Sequence, residues 1–348
     1  MASAVPVIHT ARLTLRPLRV DDADRAALEL GNYDVVRWLA SVPYPYHFDD
    51  ALTFIGEAAR QTDPVWAIDD DRGFCGVVAI DPDLGYWLAR RAWGRGYITE
   101  AGDAVVDAYF ARRRNKVLRG SYMEGNERSR AVLIKLGFVP DGSMTIRSLA
   151  LGQDVPGHAM FLDRARWRTR RRYRLATSRL RLRELRDGDL SSLRRIAQDA
   201  RIAPMLLGVP NLWPVVDARR WLRAFRYRGR PGFWAAICTR AGRLIGTAFM
   251  GPPPGGGDHT CAWFLDPAYW GRGLATEAVA AFLADTMDRF SVETLHAEQF
   301  SDNCRSAAMM GRLGFVENGR GDGSSAARLE TAEIVIYRLE RSQLKAPK

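Results

Sequence analysis

The chain has 348 residues, 47% of them hydrophobic and 26% charged, with a formal net charge of +11. That length suits two domains of ordinary size, and no apolar run approaches the ~20 residues that would span a bilayer. Cys75, Cys238, Cys261 and Cys304 lack the spacing of a zinc site or disulfide framework, and Met1–Arg12 lacks the apolar stretch of a secretory leader, so a reducing, cytoplasmic setting without a membrane partner is expected.

Taken in order, Arg12–Arg19 alternates apolar and basic residues with period two, which predicts a half-buried strand. Asp21 and Asp22 form a turn able to cap a helix over Ala23–Leu30. Pro43 and Pro45 mark a loop before a second helical pattern at Asp50–Ala59. Strands are expected at Val65–Ile68, Phe74–Ile80 and Leu84–Ala89. A glycine loop then leads into a helix over Thr99–Ala111, a strand at Val117–Met123 and a helix stopped by Gly137. One or two strands follow, ending in His158–Leu162.

The second half repeats this order. A strand is expected within Arg179–Arg186, then an Asp187–Asp189 turn and a helix at Leu190–Ala197. Pro210–Pro214 marks the loop, followed by a helix at Asp217–Phe225 and strands at Phe233–Cys238, Leu244–Met250 and Cys261–Leu265. A helix over Thr276–Phe290, a strand at Thr294–Phe300, a helix ending at Gly314 and a strand at Ile334–Leu339 complete the copy. The register moves from 167 to 177 positions, mostly through a turn swollen by Gly251–Gly257. The order β-α-α-β-β-β-α-β-α-β describes an α/β (α+β) fold, with a mixed, mostly antiparallel sheet flanked by helices in each copy. The expected divisions are 1–163, an arginine-rich linker over 164–176, and 177–348.

The motifs repeat in fixed register. Trp93-Gly94-Arg95-Gly96 returns as Trp270-Gly271-Arg272-Gly273, and Thr99-Glu100-Ala101 as Thr276-Glu277-Ala278. Asn126 and Ser129 return as Asn303 and Ser306, with Gly137-Phe138 and Gly314-Phe315 after them. A strand, a glycine turn and a helix start aim free backbone N–H groups and the positive helix end at one point, which makes an anion site. The pattern is neither GxxxxGK[ST] nor GxGxxG, so it argues for a diphosphate held by main chain and against ATP hydrolysis. A single copy would also suit an ordinary turn. Asn126 and Asn303 suit plain helix capping, which leaves room for a ligand contact as well.

These residues together resemble the GNAT acyltransferase superfamily, and the opening RLxLRxL followed by Asp resembles its RimJ/RimL-like branch. The resemblance covers nearly the whole chain as a tandem pair. It implies acetyl-CoA as donor and an amine acceptor that attacks the thioester directly. It further implies pyrophosphate on the amides of Gly94, Arg95, Gly96, Tyr97, Ile98 and Thr99, and on those of Gly271, Arg272, Gly273, Leu274, Ala275 and Thr276. The pantetheine would lie beside Trp87 and Leu88, or Phe264 and Leu265, with Asn126, Ser129, Asn303 and Ser306 nearby. The chain departs from the family pattern at three places. Trp93 and Trp270 stand where Gln or Arg is usual. Ile98 replaces a small residue that Ala275 retains, so better cofactor binding is expected in the second copy. Leu133 and Met310 occupy the place of a Tyr that protonates the leaving thiolate.

A general base is needed to take the acceptor's proton, and Asp83 and Glu298 are the favoured carboxylates, with Glu124, Asp258 and His259 as alternatives. Arg164–Arg174 holds seven arginines and no acid, most of the net positive charge. It reads as a solvated linker, as a strip for RNA or ribosome in which Trp167 and Tyr173 stack on bases, or as a lure for acidic proteins. The expected activity is N-acetylation of a primary amine, either a protein N-terminal α-amine or a small molecule. The rival is a non-catalytic CoA-binding or scaffold pseudo-dimer. Both a self-contained monomer and a homodimer fit.

Overall fold

A computed structural model of the chain describes residues 5–60, 64–112, 114–206, 213–253, 257–328 and 330–345. The expected loop at Pro210–Leu212 and the Pro254–Gly256 part of the swollen turn lie outside them. The chain divides into two compact units, Met1–Thr169 and Arg170–Lys348.

Unit 1 runs β1 (Ile8–His9), β2 (Thr14–Pro17), α1 (Ala23–Leu30), α2 (Tyr33–Val36), α3 (Phe48–Arg60), β3 (Val65–Asp70), β4 (Gly73–Ile80) and β5 (Leu84–Leu88). It continues through α4 (Tyr97–Ala111), β6 (Val117–Met123), α5 (Glu127–Leu136), β7 (Val139–Ser148), β8 (Gln153–Asp163) and α6 (Arg164–Thr169). Strands β1 to β5 form one antiparallel sheet in sequence order, and β6, β8 and β7 form a second. The break falls between β5 and β6, the strands joined by α4. One face packs Leu15, Ile68, Val78, Val105, Phe110 and Leu136 together; the other packs Leu30, Ile55, Ala67, Val77 and Trp87. Burying these side chains is the main stabilising term for each layer.

Unit 2 runs β9 (Arg174–Ala176), β10 (Leu180–Glu184), α7 (Leu190–Ala197), α8 (Val215–Ala224), β11 (Phe233–Thr239), β12 (Leu244–Gly251) and β13 (Thr260–Leu265). Then come α9 (Leu274–Phe290), β14 (Thr294–Phe300), α10 (Cys304–Leu313), β15 (Val316–Gly323) and β16 (Ala332–Glu340). Here the sheet is continuous, β15-β16-β14-β13-β12-β11-β10-β9. Its parallel pair, β13 with β14, is joined through Thr260↔His296. That one pair lies at the start of β13, and no ladder joins β5 to β6.

The arginine stretch is shared between the units. Within unit 1, Trp167 stacks on Phe110 with ring centroids 5.3 Å apart, and Arg164 donates to the Asn115 carbonyl at 2.8 Å. Within unit 2, Tyr173 is buried and its hydroxyl donates to Asp285 at 3.0 Å. The buried Tyr173 ring is not presented for stacking on a nucleic-acid base, and Trp167 is half-buried with Phe110 against one face. Among the described residues, no helix is long and apolar enough to cross a membrane.

Candidate active site

The two glycine loops adopt the same backbone. Gly94 and Gly96 have φ of 75° and 72°, and Gly271 and Gly273 have 74° and 70°. This left-handed region favours glycine. Gly96 and Gly273 are the N-caps of α4 and α9, and no side chain caps either helix. The first intrahelical bonds are donated by Glu100 and Glu277, so the N–H groups of Tyr97, Ile98 and Thr99, and of Leu274, Ala275 and Thr276, have no helical acceptor. A Cβ built on Gly94 or Gly271 would meet nothing within 4 Å. An open, donor-lined cradle at the positive end of a long helix fits a diphosphate. Arg95 and Arg272 stand exposed beside it. Ile98 and Ala275 both pack against their unit's core, so Ile98 directs its bulk inward.

Three supports of each loop were not assigned from sequence. Trp93 donates its indole N–H to the Leu88 carbonyl at 2.8 Å, and Trp270 does so to Leu265 at 2.7 Å. The tryptophan in place of Gln or Arg thus clamps the loop to the strand before it. Cations return by stacking: Arg90 and Arg128 lie 4.5 and 4.7 Å from the Trp93 ring, and Arg305 lies 4.7 Å from Trp270. The third support is the repeated glutamate. Glu100 accepts from the Arg12 backbone N–H and from its Nε, both at 2.8 Å. Glu277 accepts from Thr177, Ser178, the Arg179 N–H and Arg179 Nε at 2.5, 2.9, 2.9 and 2.6 Å. Burial alone would raise the Glu277 carboxyl, but these donors hold it down to about 2. The signal was present, since Arg12 and Arg179 open the same repeated motif.

Asn126 accepts from the Ser129 N–H at 3.1 Å and Asn303 from Ser306 at 3.2 Å, so both asparagines cap. Ser129 also meets the Tyr86 hydroxyl at 2.9 Å, joining α5 to β5. Burial pushes that hydroxyl up to about 12, against the Ser129 bond. Unit 2 has Trp263 in the place of Tyr86, so Ser306 lacks this partner.

The two favoured carboxylates are differently placed. Asp83 stands at the start of β5, the position matching Thr260; desolvation raises its carboxyl while Arg119, the counterpart of His296, opposes the rise. Glu298 is exposed on β14. Asp258 lies 3.4 Å from His296.

Glu124, one of the alternative bases, lines a cleft of about 290 Å³ with Tyr33, Arg37, Trp38, Met123, Leu151 and Val155. Its walls come from α2, the end of β6 and the β7–β8 turn, tied where Leu149 N–H donates to the Ala40 carbonyl. The corresponding positions of unit 2 carry Ala200, Pro204, Met205, Phe300, Ser301, Arg328 and Ala332. Arg328, in Leu151's place, lies 3.9 Å over the Phe300 ring. It donates to the Pro204 carbonyl at 2.7 Å and to Asp302 at 2.9 Å, bridging the space that is open in unit 1.

The acetyltransferase (GNAT) domain family matches residues 12–139 and again 179–316. The chain belongs to that family and is an N-acetyltransferase carrying its domain in two regions; the family's cosubstrate is acetyl-CoA. A Bacillus licheniformis protein named as the N-acetyltransferase p20 is 26% identical over 159 residues, 42% of this chain and 89% of that protein. YdaF of Bacillus subtilis (strain 168), named as a ribosomal N-acetyltransferase, is 28% identical over 145 residues, 37% of this chain and 79% of that protein. Among solved structures, Mycobacterium smegmatis RimJ in complex with CoA-disulfide matches with TM-score 0.40 and 20% identity over 47% of this chain and 83% of that one.

Proposed function

We propose that the chain acetylates a primary amine, with acetyl-CoA held on the glycine loops and the acceptor entering unit 1. The carrying observation is the loop itself, two left-handed glycines before an uncapped helix with open space at the first glycine, built twice. Acetyl-CoA supplies an activated acyl thioester when bound. The main-chain N–H groups of residues 94–99 and 271–276 hold its diphosphate, and Trp87, Leu88, Phe264 and Leu265 line its path. Asp83 takes the proton from the attacking ammonium, for which a carboxyl raised toward working pH is suited. Tyr86, kept neutral by burial and oriented by Ser129, is the hydroxyl able to donate to the departing sulfur, the place left open by Leu133. The acceptor is a protein N-terminal α-amine or a small amine; the ribosomal name of the YdaF relative supports the former.

For unit 2 a second reading has its own support. Arg328 spans its acceptor position, and Trp263 removes the Tyr86 hydroxyl. Unit 2 then binds the cofactor and stabilises the chain, with Glu298 as its candidate base. The two domains are taken as 1–163 and 177–348, in a cytoplasmic protein. RNA or ribosome contact through Arg164–Arg174 would rest on phosphate pairing, without the buried Tyr173 ring. Amine-dependent release of CoA thiol from acetyl-CoA tests the reading, and its absence across α-amines, polyamines and peptides would favour the scaffold.

A further inference from the structure

The unit 1 cleft holds two charges with no opposite charge paired to them among the described residues. Arg37 lies over the Trp38 ring at 4.6 Å, and no carboxylate partner for it is found among the described residues. Glu124 is exposed, and no cation partner for it is found among the described residues either. Several other charges of unit 1 are paired: Asp34 with Arg90, Arg91 with Asp70, Glu100 with Arg12. Unit 2 is an internal control. It builds the same fold with Pro204 and Ser301 at these positions, so neither charge is required for folding. A cation and an anion left unpaired in one cleft are complementary to a ligand carrying both signs.

The rest of the lining narrows the ligand. Trp38, Met123, Leu151 and Val155 offer apolar surface between the charges. The volume of about 290 Å³ lies just below the usual range for ligand pockets (about 300–1,000 Å³), room for one amino-acid-sized group. A polycation is a poor fit, because Arg37 faces it inside the cleft and the chain carries +11 overall.

We propose that the unit 1 cleft recognises a zwitterion, with an ammonium held by Glu124, an anionic group held by Arg37, and an apolar side chain against Trp38 and Leu151. Free apolar amino acids carry this chemistry, as do peptide N-termini with an apolar first residue and an acidic second. The inference rests on the acetyl-transfer reading of the site, while its recognition step can be tested without turnover.

The test titrates the full-length protein with leucine, the dipeptide Leu-Asp, leucinamide and spermidine by calorimetry in the presence of CoA, then measures acetylation of each. Leucine or Leu-Asp is expected to bind at least tenfold more tightly than leucinamide, and spermidine most weakly. The tighter of the first two identifies a free amino acid or a peptide end as the source. Arg37→Ala should erase the preference over leucinamide, and Arg37→Lys should restore part of it. Glu124→Gln should weaken every amine, acting on KM more than on kcat. Equal binding of the four, or a preference that survives Arg37→Ala, overturns the proposal. Selective binding with no acetylation would uphold it and count against acetyl transfer in unit 1.

Discussion

The two units keep one site and diverge at another. Both build the glycine loop with near-identical angles, the same Trp clamp and the same Glu–Arg tie, although the sheet is broken in unit 1 and continuous in unit 2. They differ where an acceptor would enter, with Leu151, Glu124 and Tyr86 in unit 1 against Arg328, Ser301 and Trp263 in unit 2. Anion binding by main chain depends on backbone shape, which the glycines dictate. Acceptor recognition depends on side chains that substitution can alter with little effect on the fold.

The largest break in this comparison should come from Asp83→Asn, with amine-dependent turnover falling about 10²-fold or more. Because desolvation raises the Asp83 carboxyl, wild-type activity should fall as pH drops through a value above the ordinary carboxylate range, and a pH–rate profile of the variant should lose that limb. Glu277→Gln removes the charge and turns an amide NH2 toward the Arg179 Nε–H that Oε2 accepts, leaving one oxygen for the other three donors, and should lower the stability of unit 2 by about 1–3 kcal/mol in thermal or urea unfolding. Its sign with pH is fixed: a carboxyl held at about 2 stabilises above its ordinary value of 4.5, and that contribution is lost as pH falls toward 2. Tyr86→Phe should reduce kcat about tenfold, about 1.4 kcal/mol, with KM unchanged, whereas Trp263→Phe leaves kcat intact. Asn126→Ala and Asn303→Ala should each cost about 1 kcal/mol and by similar amounts, since both cap alike.

Much of the fold is legible in the chain itself. Helix Ala23–Leu30 and strands Val117–Met123 and Thr294–Phe300 fall where the sequence puts them, although Asp22 does not cap the helix with its side chain and accepts from Arg16 instead. Helix α4 starts at Tyr97 instead of Thr99, because Gly96 in the left-handed region is its cap. The elements β1, α2 and β9 are too short to display a period, and composition hid α6 inside an apparent linker. The loop glycines were readable because their backbone demand is local. Arg37 and Arg328 were not, because they meet residues far away in sequence; Glu124 was read as an alternative base, without Arg37 across the cleft from it. Tyr86 was read as part of a strand, and only its contact with Ser129 gives the hydroxyl a function.

The central claim is that turnover belongs to unit 1. It is tested most directly by amine-dependent thiol release from Gly96→Val and Gly273→Val, each placing a β-branched side chain at a left-handed N-cap. The account predicts that Gly96→Val abolishes turnover while Gly273→Val keeps at least half of it, with acetyl-CoA stoichiometry falling from two to one in both. Turnover that survives Gly96→Val and disappears in Gly273→Val would contradict it and assign the chemistry to unit 2.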